Sequence, residues 1–179
     1  LDDVDLADGG AEDRAAAVAG EDGVGGEHLG ADAGRQGGPL VEAAQAGGCE
    51  LWLDGGHNAD GGRAIAAALG DLEERVPRPL VIILGMLSTK DNTGFLKNFT
   101  GLARRVIAVP IPRQEKSVPA ETLVDIARSI GLPAESRDTL QAALIATGHL
   151  GLMPAPRILI TGSLYLAGEV LAMNGTPPE

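Results

Sequence analysis

Residues 80–85, Leu-Val-Ile-Ile-Leu-Gly, form an unbroken apolar run between the prolines at 77 and 79 and a polar turn at 86–92. A strand with one wet face alternates apolar and polar residues. A run that does not alternate is apolar on both faces and belongs in a parallel sheet covered on both sides. Residues 157–161, Arg-Ile-Leu-Ile-Thr, repeat the pattern, and 51–53, Leu-Trp-Leu, give a shorter version. Between these runs lie stretches with helical stripes. In residues 59–75 the stripe is Ile65, Ala68, Leu69 and Leu72. In 93–103, a weaker helix, it is Phe95, Leu96, Phe99 and Leu102. In 119–130, with proline in the first turn, it is Leu123, Ile126, Ala127 and Ile130. Asp138, with Gln141 three residues on, reads as a capping box opening a helix with Leu140, Ala143, Leu144 and Thr147 inward. A last helix from 164 turns Leu164, Ala167, Val170 and Leu171 inward. Residues 105–111 read as a strand whose Pro110 marks a sheet edge or the end of pairing. Residues 134–137 are a short strand at best, and 39–46 a strand or short helix. Strands alternating with helices predict an α/β fold, a mostly parallel sheet with helices on both faces.

Residues 1–38 do not fit this pattern. They are Ala, Gly and Asp with scattered Val and Leu, and contain no Ile, Phe, Trp, Tyr, Met or Lys. Helical fragments near 5–19 are broken by glycine. Such a composition buries too little apolar area to offset its ordering entropy, so the segment reads as a poorly structured extension. A GC-rich gene translated out of frame would produce the same composition, and homologous coding upstream in this frame would refute that origin. The expected division is thus 1–38, a folded unit at 39–173, and a polar tail at 174–179. The chain does not begin with Met and reads as a fragment.

The net charge of −11 is uneven: 11 acidic and 2 basic residues fall in 1–49, leaving 14 and 12 for 50–179. A nearly neutral folded part lacks the clustered Lys and Arg that hold phosphate backbones, which argues against a nucleic-acid binder. No run approaches the ~18 apolar residues of a membrane span, and no signal peptide opens the chain. The single cysteine, Cys49, allows neither an internal disulfide nor a cysteine-built zinc site, in keeping with a cytoplasmic protein.

Chemistry concentrates where strands end. Residues 50–63 read strand, turn, helix start, with Asp54, Gly55, Gly56, His57 and Asn58 in the turn. In open α/β sheets ligands bind outside the carboxyl ends of the strands. There Asp54 either caps the next helix or accepts hydrogen bonds from ribose hydroxyls. Gly55 and Gly56 allow positive φ or close backbone approach to a ligand. His57 is either structural or a donor to phosphate or carboxylate and a proton shuttle. Asn58 satisfies the free N–H groups of the helix. Arg63 is an anion partner or a solvated helix residue. Lys90 and Asp91 follow the run at 80–85, as a cation with its orienting acid or as a solvated turn pair. Thr161-Gly162-Ser163 ends the last strand and opens a helix, which makes either an anion site or a plain cap. No metal-ligand cluster is visible. Neither GxGxxG nor GxxxxGK[ST] occurs.

Three motifs in order, Leu-Asp-Gly-Gly-His-Asn (53–58), Gly-Met-Leu-Ser-Thr-Lys-Asp (85–91) and Ile-Thr-Gly-Ser-Leu-Tyr-Leu (160–166), resemble the C-terminal domain of folylpolyglutamate synthase / dihydrofolate synthase, a relative of the Mur ligases. The resemblance covers roughly 39–172 and implies a Rossmann-like domain. It also implies an ATP- and Mg²⁺-dependent amide ligation, in which a folate or dihydropteroate carboxylate is phosphorylated and L-glutamate attacks the acyl phosphate. By the same resemblance Asp54, with Gly55, Gly56 and Asn58, contacts the nucleotide. His57 lies near the phosphates or the incoming glutamate, and His57 and Lys90 are the catalytic candidates. Lys90, Asp91 and Ser163 line the glutamate side. The metal ligands and phosphate loop belong to an N-terminal ATPase domain that these residues do not contain, so the chain alone is expected to be inactive; the family is usually monomeric. Two departures stand out. Ala59 replaces a proline after His-Asn, and the Gly-Arg-x-Gln motif that supplies an ATP-contacting arginine has only a poor echo in Gly34-Arg35-Gln36. A competing expectation is a Rossmann-like nucleotide-binding or interaction domain without catalysis.

Overall fold

The computed structural model describes residues 18–20, 24–29 and 38–175. Five parallel strands form its centre: β3 (Glu50–Asp54), β4 (Leu80–Leu84), β5 (Ala103–Ala108), β6 (Ala134–Ser136) and β7 (Arg157–Thr161). Two further strands, β1 (Val18–Gly20) and β2 (Val24–Leu29), pair antiparallel and extend one edge, giving the order β1-β2-β3-β7-β4-β5-β6. The sheet is therefore mostly parallel, as the apolar runs require. β1 and β2 correct the sequence reading, which has no strand before residue 39. Val18 and Ala19 are strand, not helix. The rest of 1–37, including Gly34-Arg35-Gln36, lies outside the described residues.

The helices are α1 (Pro39–Ala46), α2 (Ala59–Arg75), α3 (Asn92–Lys97), α4 (Ala120–Ser129), α5 (Leu140–Gly148) and α6 (Leu164–Met173). They divide between the two faces. Trp52, Ile82, Leu84, Val106 and Leu159 point toward α2, α3 and α4, where Ile65, Phe95, Phe99 and Leu123 meet them. Leu51, Leu53, Ile83, Ile107 and Ile160 point toward α1, α5 and α6, packing on Ala143, Leu166 and Val170. β4 and β7 are buried along their whole length. The period-2 alternation of strand side chains thus feeds two apolar layers, and aliphatic residues fill both in a chain with four aromatics.

Three helix boundaries differ from the sequence reading. Thr139, not Asp138, caps α5, its hydroxyl accepting from the Ala142 N–H at 3.1 Å. Pro119 stands at the cap of α4 rather than inside its first turn. α3 ends at Lys97 and 98–102 turn, because β5 already begins at Ala103. Pro110 follows β5, which is interior to the sheet, so it marks the end of pairing.

One end of β3 and β7 is fastened by charge. Arg157 is 2 % exposed; its Nε donates to Glu50 Oε2 at 2.8 Å and an Nη to the Val76 carbonyl at 3.3 Å. Arg78 Nε reaches Glu50 Oε1 at 3.0 Å, and the same guanidinium donates to the carbonyls of Gly48 and Ala155. Burial pushes the Glu50 carboxyl up, but the Arg157 hydrogen bond and charge, the Trp52 indole N–H and the Arg78 charge outweigh it, and the net shift is downward. Glu50 therefore adds stability that is present above its ordinary range and lost as pH falls through its lowered value. Truncating one partner of a buried pair leaves the other charge stranded. Glu50→Ala is expected to cost about 3 kcal/mol in urea unfolding at pH 7, while Glu50→Leu with Arg157→Met recovers at least half. Equal losses in the single and double variants would contradict the pairing.

Candidate functional site

The chain passes β3, α2, β4 on one face and returns from β6 through α5 on the other to place β7 between β3 and β4. The helices following β3 and β7 leave on opposite faces. The carboxyl ends of β3, β7 and β4 consequently border a crevice, the place where such sheets bind ligands.

The three strand-end turns are stitched together. Gly162 N donates to the Gly56 carbonyl at 3.0 Å, and Gly85 N to the Thr161 carbonyl at 3.2 Å. Gly162 has φ +106°, and a Cβ there would come within 2.6 Å of the Gly85 oxygen, so glycine is required. Gly55 does not use positive φ: a Cβ on it would strike Leu164 Cδ2, at 2.2 Å. Its smallness leaves room for the Leu164 side chain at the start of α6.

His57, Leu87, Thr89, Lys90, Ser163 and Tyr165 enclose a cleft of ≈ 270 Å³ over these turns. Three of the sequence candidates, His57, Lys90 and Ser163, thus meet at one place. His57 Nδ1 lies 3.0 Å from the Gly55 carbonyl. A carbonyl only accepts, so Nδ1 carries the proton and Nε2 is the acceptor of the neutral ring. Ser163 caps α6, its Oγ accepting from Tyr165 N at 3.1 Å, and lines the cleft as well. Lys90 is exposed at its edge.

Asp54 sits beneath. It is 2 % exposed; Oδ1 accepts from Gly56 N at 2.6 Å, and Oδ2 is buried without a partner. Burial raises its pKa to about 6, against the Gly56 N–H, which lowers it. Asn58 caps α2, accepting from Gly61 N at 2.7 Å. Asp91 caps α3, accepting from Gly94 N at 2.9 Å, and is not among the cleft residues. Arg63 is exposed and pairs with Asp60.

The sequence reading turns Leu164 into the core. It is instead exposed at the cleft, with Tyr165, and Leu166 and Val170 take the buried positions. A helix leaving its strand after a single glycine has its first turn over the rim, and the Ser-Leu-Tyr spacing carries that signal. A larger groove of ≈ 360 Å³ lies between α1 and α5, but its lining is almost wholly apolar and lacks convergent charged groups. Among the described residues no three His, Cys, Asp or Glu are grouped to hold a metal, and no helix is long and apolar enough to cross a membrane.

A sequence model of the dihydrofolate synthetase C-terminal domain matches residues 40–173. The chain belongs to this family. The folylpolyglutamate synthase of Lacticaseibacillus casei is 32% identical over 118 residues, 66% of this chain and 25% of that protein. This dihydrofolate synthetase-type domain thus spans about a quarter of that relative's length. Among solved structures, a Mycobacterium tuberculosis folylpolyglutamate synthase complexed with ADP superposes with a TM-score of 0.63 at 22% identity, over 73% of this chain and 31% of that one. A Yersinia pestis bifunctional folylpolyglutamate synthase/dihydrofolate synthase complexed with AMPPNP and a Mn ion gives 0.58 at 20%, over 69% and 28%. These two establish the fold; the membership rests on the sequence match.

An acid whose folded-state pKa is raised favours folding below that value and loses the advantage as pH rises through it. Asp54→Asn is therefore expected to stabilise the domain by up to about 3 kcal/mol at pH 8, from a shift of roughly two pK units, and by less than about 1 kcal/mol at pH 4. Thermal denaturation at the two pH values checks this; a variant less stable than wild type at pH 8 would contradict it.

Proposed function

We propose that the rim cleft is the glutamate- and nucleotide-facing wall of an ATP-dependent ligase. The ligase joins L-glutamate to a folate or dihydropteroate carboxylate, and residues 39–173 are the domain that supplies the wall. The observation that carries this reading is the meeting of His57, Lys90 and Ser163 in one cleft at the sheet's crossover point, in a chain of this family.

In this reading ATP passes its γ-phosphoryl group to the substrate carboxylate and leaves as ADP, the glutamate nitrogen attacks the acyl carbon, a C–N bond forms and phosphate leaves. The groups on this chain bind and orient. Lys90 and the N-terminal end of α6, with the Ser163 hydroxyl, neutralise glutamate carboxylates. His57 Nε2, left as acceptor by the Gly55 bond, takes a proton from the attacking nitrogen. Asp54 Oδ2, buried and unpartnered, is an acceptor held ready for a ribose hydroxyl. Gly55, Gly56 and Asn58 shape that turn, and Asp91 acts through the start of α3, which it caps. The relatives' ADP and AMPPNP complexes support a nucleotide here. An imidazole, an ammonium and a hydroxyl are a poor donor set for Mg²⁺, which takes oxygen ligands, so no step is assigned to a metal on these residues.

These 179 residues contain no phosphate loop, and the purified chain with ATP, L-glutamate and dihydropteroate should give no ligation above blank. Turnover would contradict that; adding a family ATPase domain should restore it. L-glutamate at a hundredfold excess over Kd should raise stability by about 2.7 kcal/mol, and Lys90→Ala should abolish the effect. Stabilisation by nicotinamide dinucleotides with none by glutamate would instead favour a non-catalytic nucleotide-binding domain.

A further inference from the structure

The loop after β5, residues 109–118, places no side chain in the rim cleft, yet it is bonded to two of the cleft's walls. On one side it holds the segment that leads to Lys90. Ser88 N donates to the Lys116 carbonyl and Val118 N to the Met86 carbonyl, both at 2.8 Å, and Leu87 and Ser117 form an isolated antiparallel bridge. On the other side Arg113 ion-pairs with Glu169 of α6, the helix whose first turn carries Leu164 and Tyr165 and whose cap is Ser163.

The loop has its own internal bracing. Ser117 Oγ accepts from Ile111 N at 2.8 Å, closing it across six residues, and Ile111 and Val118 are buried at its two ends. Arg113 is held at φ +58°, a left-handed conformation that side chains seldom adopt. Beneath the loop a Cβ on Gly85 would lie 3.1 Å from Ile111 and 3.2 Å from Leu166. The loop and α6 therefore close on the backbone of β4's last turn with no slack.

We infer that residues 111–118 are a strap that sets the distance between the Lys90 wall and the Ser163 wall, with Arg113, Ser117 and Glu169 as its positioning residues. None of the three touches the cleft. They act by tying a loop and a helix, which leave the sheet at different strands, to one short braced segment. Only the choice of L-glutamate as probe rests on the ligase reading.

Amide hydrogen exchange of the full 179-residue chain, followed by NMR, tests the strap. Arg113→Ala should speed exchange about fivefold at Ser88, Val118 and Tyr165, while the β4 amide of Ile83 stays unchanged. Glu169→Gln should reproduce the pattern, and the two together should do no more than either alone. The charge swap Arg113→Glu with Glu169→Arg should restore protection. Ser117→Ala should loosen Ser88 and Val118, and Ser117→Thr should keep them. The Kd for L-glutamate should rise about fivefold in the loosened variants. Changes confined to 111–114, additive effects of the two charge variants, or an unchanged Kd in a loosened variant would overturn the strap. If exchange behaves as expected but wild type gives no response to glutamate, the ligase reading fails and the strap stands.

Discussion

Strand β7, the last in the chain, hydrogen-bonds in parallel to β3 on one side and β4 on the other. Until it is in place β3 and β4 have no connection within the sheet, and the carboxyl ends that form the rim do not adjoin. Its sequence makes the position obligatory. Ile158, Leu159 and Ile160 are apolar on both faces, and only an interior strand buries both. Arg157 and Gly162 then fix its two ends. The first is bound to Glu50; the second takes a backbone conformation open to glycine and donates across to Gly56.

The two ends of the β3–β7 pair differ in how their polar groups are matched. At the amino end every strong charge is answered: Arg157, Arg78, Glu50 and the Trp52 indole form one connected set with three carbonyls. At the carboxyl end matching is incomplete. Asp54 is buried with one oxygen unpartnered, and burial holds its proton to about pH 6. An unsatisfied buried carboxyl is costly in a fold, and sites kept for a ligand are where such costs are tolerated. A fully matched end and an incompletely matched end on the same pair of strands allow the rim to be built without loosening the core.

Much of this was legible in the sequence. The unalternating runs at 80–85 and 157–161 specified interior strands because no other element tolerates apolar residues on both faces. Residues 59–75 specified a helix because their stripe keeps its period for several turns. Asp54, His57, Lys90 and Ser163 were legible as candidates because each lies at, or within a few residues past, the carboxyl end of an apolar run. Short-range competition hid other features. Asp138 and Thr139 are both able to cap, and backbone geometry chose Thr139. Leu164 carries the apolar period of its helix, yet its place in the first turn, over the rim, exposes it. Ion pairs across long separations, such as Glu50 with Arg157 or Arg113 with Glu169, leave no periodic trace, although a charged residue opening each of two apolar strands was a usable hint. The strands at 18–20 and 24–29 are rich in glycine and lack the β-branched character by which strands are recognised.

Ligands are expected to meet this domain at the rim formed by the ends of β3, β7 and β4. Titrating L-glutamate and then ATP into the isotopically labelled chain, with backbone amide shifts mapped residue by residue, tests this directly. Shifts should centre on residues 54–58, 87–90 and 162–165, with the α1–α5 groove silent. Shifts centred on that groove or on the β6 edge, with the rim unmoved, would contradict it.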